Sequence, residues 1–172
     1  MPSDKCLSNS NSLGPTAKYS MNTLNGEATL LFAIGNDSRG DDGLGWAFAQ
    51  LVEETNLFRG RLFYRYQLQV EDAELLTTCR QVIFVDACRY ELKEGFALQP
   101  CLPAVESSFT THALSPSAVL QCCYELYDHR PEAFQLLLSG SNWDLKQGLS
   151  PSAVRHLRTA FRFFSEKVLL LQ

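Results

Sequence analysis

Two continuous apolar runs constrain the fold of this chain more than any other feature. Residues 28–34 read Ala-Thr-Leu-Leu-Phe-Ala-Ile and end at Gly35. Residues 82–85 read Val-Ile-Phe-Val and end at Asp86. Runs without polar alternation are typical of strands that are buried on both faces. We therefore predict two central strands in a sheet that is covered on both sides.

Helical patterns lie between and after these runs. Residues 43–54 carry apolar side chains at helical spacing directly after the first run. The hexapeptide Leu-Ser-Pro-Ser-Ala-Val occurs at residues 114–119 and again at 149–154, and each copy offers a serine N-cap followed by proline, which marks a helix start. The other predicted elements are strands at 61–66, at 96–99 on an edge and at 134–138, and a helix at 71–79. The alternation predicts an α/β fold: a single-domain three-layer sandwich with a mostly parallel, twisted sheet of about five strands and helices on both faces.

The composition divides the chain into a short arm and one domain. Residues 1–26 are polar and have few large apolar side chains, so we predict a flexible N-terminal arm. Residues 27–172 are enough for a single domain with its own core. No apolar run approaches the ~20 residues of a membrane helix, which predicts a soluble protein without a membrane partner.

Charge and cysteine usage narrow the class of protein further. The net charge is -4, and the Lys and Arg residues are scattered, which argues against a nucleic-acid partner. The six cysteines show no C-x-x-C spacing, so neither a zinc site nor a redox pair is indicated. The arm lacks the apolar segment of a secretory signal, and we therefore expect a cytoplasmic protein with reduced thiols.

Three polar segments follow predicted strands and could carry chemistry. Ligands of open parallel sheets bind at the carboxyl ends of the strands. The loop at residues 35–43 contains Asp41 and Asp42, Asp86 follows the second apolar run, and His112 precedes a helix start. Two Asp and one His from separate loops could bind a borderline divalent metal and leave coordination positions open.

Each of these residues also has an ordinary structural explanation. Asp41 and Asp42 could cap the helix that follows them. Asp86 is harder to explain in this way, because an ionised carboxylate near a core needs a partner. His112 taken alone would be an ordinary loop histidine. The other two histidines, His129 and His156, are predicted to be structural or solvated.

Other chemistries fit the sequence less well. The glycine-rich loop lacks G-x-G-x-x-G or P-loop spacing, and its carboxylates would repel a phosphate, so we predict no nucleotide or other organic cofactor. The nucleophile motif G-x-S-x-G is absent. Cys88 lies two residues past Asp86, but a free cysteine is more often a buried hydrophobe than a nucleophile.

From residue 28 to the C-terminus, the chain resembles the NiFe-hydrogenase maturation endopeptidases. Four segments carry the resemblance, in the same order along the chain. They are Ile34–Asn36 with Gly40–Gly45, Ile83–Ala87, Thr111–Ser115 and Gly148–Pro151. The arm before residue 28 is longer than is usual in the family, and Asp37-Ser38-Arg39 replaces a more apolar loop.

The resemblance implies a narrow reaction. Members of the family remove a C-terminal extension from the hydrogenase large-subunit precursor after nickel has been inserted. Asp42, Asp86 and His112 match the residues that contact this nickel, which belongs to the substrate. Gln67–Glu71 resembles the form seen in proteases of cytoplasmic, NAD(P)-linked bidirectional hydrogenases. Two alternatives are a non-catalytic nickel-site chaperone for the same precursor and a nucleotide-binding regulatory module.

Overall fold

The computed structural model describes Met21, residues 24–105 and residues 114–170. The strands are β1 Thr29–Ile34, β2 Arg61–Arg65, β3 Gln81–Cys88, β4 Phe96–Pro100 and β5 Glu132–Ser139. The helices are α1 Leu44–Thr55, α2 Asp72–Leu76, α3 Pro116–Tyr127 and α4 Pro151–Phe164. A 3-10 turn, Gly40–Gly43, leads into α1, and a π-helical turn, Ser165–Leu169, continues α4.

The five strands form one sheet in the order β2-β1-β3-β5-β4. The pairs β1 with β2, β1 with β3, and β3 with β5 are parallel, whereas β4 is an antiparallel edge strand on β5. In the register, Ala33 pairs with Val85. The carboxyl ends of β1, β2, β3 and β5 therefore share one edge of the sheet, called the carboxyl edge below.

Helices cover both faces of the sheet and enclose two apolar clusters. One face packs α1 and α4 on the sheet, with Leu31, Phe48 and Phe164 fully buried between the layers. The opposite face packs α2 and α3, with Phe32 and Val119 buried. Neighbouring residues of β1 enter different clusters, because successive side chains of a strand point to opposite faces. The predicted three-layer α/β sandwich with a mostly parallel sheet is confirmed.

The element boundaries agree with the sequence in most places. Ser115 and Ser150 accept hydrogen bonds from Ala118 N (3.1 Å) and Ala153 N (3.2 Å), which confirms both predicted N-caps. Helix α2 is shorter than the predicted range of 71–79. It ends at Leu76, because the N–H groups of residues 77–79 donate to carbonyls three residues earlier and form turns instead of a further helical turn.

Part of the predicted N-terminal arm can be placed. Leu24 and Asn25 are buried, and the Asn25 side chain donates to Leu57 O (3.0 Å) and accepts from Arg59 N (2.8 Å). Packing against the domain thus begins before residue 27, while residues 1–20 lie outside the described part of the chain. Across the described ranges, no helix has both the length and the apolar character needed to cross a membrane.

Candidate active site

Asp42 and Asp86 lie at the carboxyl edge, on neighbouring segments. Asp42 belongs to the 3-10 turn that follows β1, and Asp86 is near the end of β3, the strand beside β1. Both side chains are partly buried. They are close enough for the charge of Asp42 to raise the pKa of Asp86. The structure thus brings together two of the three predicted site residues.

His112 lies outside the described residues, so its place in the site remains a prediction. The described residues resume at Leu114, two positions later, and Leu114 forms an antiparallel bridge with Leu68. Leu114 N donates to Leu68 O at 3.0 Å, and Leu68 follows the carboxyl end of β2. The segment after His112 therefore begins beside the carboxyl edge.

The first turn of α1 rests directly on the ends of β1 and β3. Gly45 makes this possible, since a Cβ at this position would overlap the carbonyl oxygen of Ile34 and lie 2.8 Å from that of Val85. Asp42 is three residues before Gly45, and Asp86 directly follows Val85. Because residue 45 has no side chain, the backbone that carries Asp42 packs close to the end of β3, which carries Asp86.

The electrostatics of the two carboxylates favour a bound proton or cation. Burial raises the pKa of Asp86 to about 7, although Ala87 N donates to its Oδ1 at 2.8 Å and opposes the rise. Burial also raises the pKa of Asp42, against the charges of Arg39 and Arg89. A carboxylate that titrates near neutral pH can exchange a proton for a metal ion or serve as an acid or base.

The described part of the chain contains no group of three or more His, Cys, Asp or Glu side chains that could hold a metal ion. Asp42 and Asp86 could supply two ligands to a metal ion, and a third would have to come from elsewhere. The open coordination that two carboxylates leave suits a metal that arrives with ligands of its own.

Asp41 has a different environment from its neighbour. Its side chain is fully buried, and its carboxylate accepts hydrogen bonds from Ser141, Asn142 and Ser150 in the loop that joins β5 to α4. Burial by itself would raise the pKa of Asp41, but these backbone N–H groups hold the pKa below its ordinary value.

The alternative that Asp41 and Asp42 cap α1 is wrong. The N-cap of α1 is Gly43, and neither α1 nor the 3-10 turn has a side-chain cap hydrogen bond. Both aspartates lie within the 3-10 turn, ahead of the first turn of α1, and the Asp41 side chain bonds instead to the loop between β5 and α4. No local sequence pattern predicts that Ser141, Asn142 and Ser150 bond to Asp41. The sequence around Ser150 predicted only that it caps α4.

The residues that were predicted to be structural have structural roles. His129 Nε2 lies 2.8 Å from Cys79 O, and His156 Nδ1 lies 2.8 Å from Ser139 O. Cys88 is buried, and burial raises the pKa of its thiol. The prediction that Cys88 is a buried hydrophobe is confirmed.

One pair beside the site was not predicted. The Arg89 guanidinium lies 4.4 Å from the ring centroid of Trp143, a cation-π contact that joins the end of β3 to the loop after β5. Arg89 and Trp143 are far apart in the sequence, and no local pattern near either residue indicates the contact. The positive charge of Arg89 lies close enough to Asp42 to lower the pKa of that carboxyl group against the effect of burial.

Cys88 should react slowly with iodoacetamide at neutral pH. Only the thiolate is nucleophilic, and burial disfavours it here, so we expect alkylation at least about tenfold slower than in the urea-unfolded protein. Peptide mapping by mass spectrometry after timed quenching measures the rate. Equal rates in the folded and unfolded protein would identify an accessible thiolate and would restore Cys88 as a candidate nucleophile.

Solved structures share this fold. HycI from Thermococcus kodakarensis KOD1, described as a NiFe hydrogenase maturation protease, is 22% identical with a TM-score of 0.61 over 83% of this chain and 92% of that chain. The hydrogenase maturating endopeptidase HybD from E. coli is 13% identical, with a TM-score of 0.61 over 80% of this chain and 90% of that chain. The endopeptidase HycI from Escherichia coli is 16% identical, with a TM-score of 0.61 over 84% and 98%. At these identities the similarity establishes a common fold.

No protein-family model matches the sequence, and no curated protein matches it.

Proposed function

We propose that this protein is an endopeptidase that removes the C-terminal extension from a NiFe-hydrogenase large-subunit precursor after nickel insertion. Asp42, Asp86 and His112 contact the nickel of the precursor. The observation that carries the proposal is the pairing of Asp42 and Asp86 at the carboxyl edge of a fold that named hydrogenase maturation proteases share.

The properties of the two carboxylates support a metal that belongs to the substrate. Burial raises the pKa of Asp86 to about 7, so near neutral pH its carboxyl group is partly protonated and can exchange that proton for a cation. The precursor brings its nickel to this position, and the cation takes the place of the proton. Asp42 and Asp86 then hold the metal centre and thereby orient the neighbouring scissile peptide, which is catalysis by positioning.

Nickel dependence follows from the same geometry. A precursor without nickel offers no cation to Asp42 and Asp86, so its binding would bury these polar groups without a metal partner. We therefore propose that the metal-free precursor binds weakly and escapes cleavage. The bridge from Leu114 to Leu68 supports the third contact, because it starts the segment after His112 at this edge.

The partner and compartment follow the sequence pattern. We propose a cytoplasmic protein whose substrate is the large subunit of a bidirectional hydrogenase, on the basis of Gln67–Glu71. In the structure Leu68 of this segment is buried and contacts Leu114, so the segment borders the point where the described chain resumes, two residues after His112. This position suits a segment that distinguishes one precursor from another.

The decisive experiment is incubation of the purified protein with nickel-loaded and nickel-free precursor, read by intact mass. We expect loss of a C-terminal peptide from the loaded precursor alone, and a fall of at least about 100-fold in rate for Asp42→Ala and His112→Ala. Glu54→Ala is the matched control, since it removes an exposed carboxylate near the far end of α1.

Each alternative result has a defined meaning. Stable complex formation without a shortened precursor would replace the protease proposal with the chaperone alternative. Equal cleavage of loaded and nickel-free precursor would remove the role of nickel. Loss of activity in Glu54→Ala as large as in Asp42→Ala would show that the loss does not depend on the site.

A further inference from the structure

We infer that Asp41 is a positioning residue that holds Asp42 in its place beside Asp86. The inference rests on the proposed function, because it assigns Asp41 a part in that reaction. Asp41 itself faces away from the site, toward the loop between β5 and α4, which we call the β5–α4 loop (residues 140–150).

The Asp41 carboxylate accepts five hydrogen bonds from the β5–α4 loop. Oδ2 accepts from Ser141 N (2.7 Å), Asn142 N (2.9 Å), Ser150 Oγ (2.7 Å) and, at a longer distance, Ser141 Oγ (3.4 Å). Oδ1 accepts from Ser150 N at 2.7 Å. All five of these donors belong to a single loop, and both carboxylate oxygens accept from it.

The main chain around Asp41 is joined to the same loop. Gly40 N donates to Lys146 O at 2.7 Å, and Asp41 N donates to Asn142 O at 2.8 Å. Gly140 closes over the side chain, since a Cβ there would lie 2.8 Å from the Cβ of Asp41. Residue 41 is therefore held through its backbone and its side chain together.

Asp42 shares this restraint because it is the next residue. Before Gly40, the same loop consists of Asp37, Ser38 and Arg39, which are exposed to solvent. This exposed part of the loop is joined to Asp42 by local bonds: Asp42 N donates to Arg39 O at 3.2 Å, and Asn36 N donates to Asp42 O at 3.2 Å. After Asp42 the chain continues into α1, which packs on the sheet, so Asp41 is the attachment on the N-terminal side of Asp42.

The role requires a carboxylate and not merely a polar side chain. Both oxygens of Asp41 accept from backbone N–H groups. In an Asp41→Asn variant, the amide NH2 would face one of these donors, whichever way it is turned, and would leave it unpaired. Asn should therefore fail to hold the loop although it matches Asp in size.

The two copies of the repeated hexapeptide show that Ser150 has more than a capping role. Ser115 and Ser150 both cap a helix by accepting from the third residue beyond them. Ser150 additionally donates its Oγ to Asp41 and supplies a backbone N–H to it. The start of α4 is thereby connected to Asp42 through Asp41.

The test compares Asp41→Asn and Ser150→Ala with Val168→Ala. Val168 is fully buried beyond the end of α4, and this helix of 14 residues puts about 20 Å between it and Ser150. Val168→Ala should destabilise the fold without touching the loop. Each variant is first shown by circular dichroism to be folded at the assay temperature, well below its melting temperature.

Two measurements then decide the role. Hydrogen exchange of peptides covering residues 36–45 reports whether the loop is held, and single-turnover cleavage of nickel-loaded precursor at saturating enzyme reports the reaction. We expect Asp41→Asn to speed exchange in this loop and to slow cleavage about 10- to 100-fold, with about threefold slowing for Ser150→Ala. Val168→Ala should retain the wild-type rate.

The outcomes separate this inference from the function that it deepens. A folded Asp41→Asn variant that cleaves at the wild-type rate would overturn the positioning role and leave the protease proposal standing. Equal slowing in Val168→Ala would also overturn it, because general destabilisation would then explain the loss. A wild-type protein that does not cleave the loaded precursor would remove the protease proposal. Independently of cleavage, unchanged hydrogen exchange at residues 36–45 in Asp41→Asn would show that Asp41 does not hold the loop.

Discussion

Replacing Asp86 by Asn should make the protein more stable at pH 8 and reduce cleavage of the nickel-loaded precursor by at least about 100-fold. Asn retains the acceptor for Ala87 N, so the local hydrogen bond survives. It lacks the charge that burial and Asp42 disfavour. A gain in stability together with a loss of activity is the expected mark of a carboxylate that is kept for function.

The pH dependence gives the sign of the stability change. The pKa of Asp86 is raised from 3.8 to about 7 in the folded protein. Between these values the folded state holds a proton that the unfolded chain releases, so the contribution of Asp86 to stability falls as the pH rises and is fully lost above about 7. Asp86→Asn should therefore exceed the wild type by about 1–3 kcal/mol at pH 8, with no difference below pH 4.

Urea unfolding of both proteins at several pH values between 4 and 8 measures this difference. Asp144→Asn is the matched control, because it makes the same change at an exposed residue and should leave the stability within about 0.5 kcal/mol. A difference that stays constant across the pH range would contradict the assignment to the Asp86 charge. Wild-type cleavage by Asp86→Asn would remove Asp86 from the site.

Gly45→Ala should destabilise the protein by about 2–4 kcal/mol and abolish activity in whatever remains folded. Inside a helix, Ala is normally about 1 kcal/mol better than Gly. Here the added Cβ would overlap the Ile34 carbonyl oxygen and approach that of Val85. The helix must therefore move away from the strand ends, and Asp42 moves with it relative to Asp86.

Thermal unfolding and intact-mass cleavage assays measure the two effects. Gln50→Ala provides the control, since it places Ala at an exposed position of the same helix and should change stability by no more than about 0.5 kcal/mol. A Gly45→Ala variant as stable as the wild type would show that α1 can shift without cost. Full activity would show that the spacing of Asp42 and Asp86 is not set by residue 45.

The fold could be predicted because its main features leave marks in consecutive residues. A strand that is buried on both faces needs apolar side chains at every position, and this produced the runs that became β1 and β3. The serine caps of α3 and α4 act on N–H groups three residues away, so both helix starts were visible locally. The parallel topology followed from the alternation of such elements.

The candidate site could be predicted only in part. Asp42 and Asp86 were identified because polar residues at the ends of buried strands meet at one edge of a parallel sheet. The cation-π pair of Arg89 and Trp143 was missed, because its two members come from different loops. His112 stays a prediction from the sequence.

Neighbouring side chains were enough to establish which segments become strands and helices and which edge of the sheet carries polar residues. The roles of two adjacent aspartates, in contrast, depend on the folded chain. Asp41 and Asp42 are alike in local sequence, but the donors to Asp41 come from residues 100 to 109 positions later in the chain. Hydrogen bonds from those donors make Asp41 a structural anion, whereas Asp42 is left close to Asp86 with its pKa raised by burial.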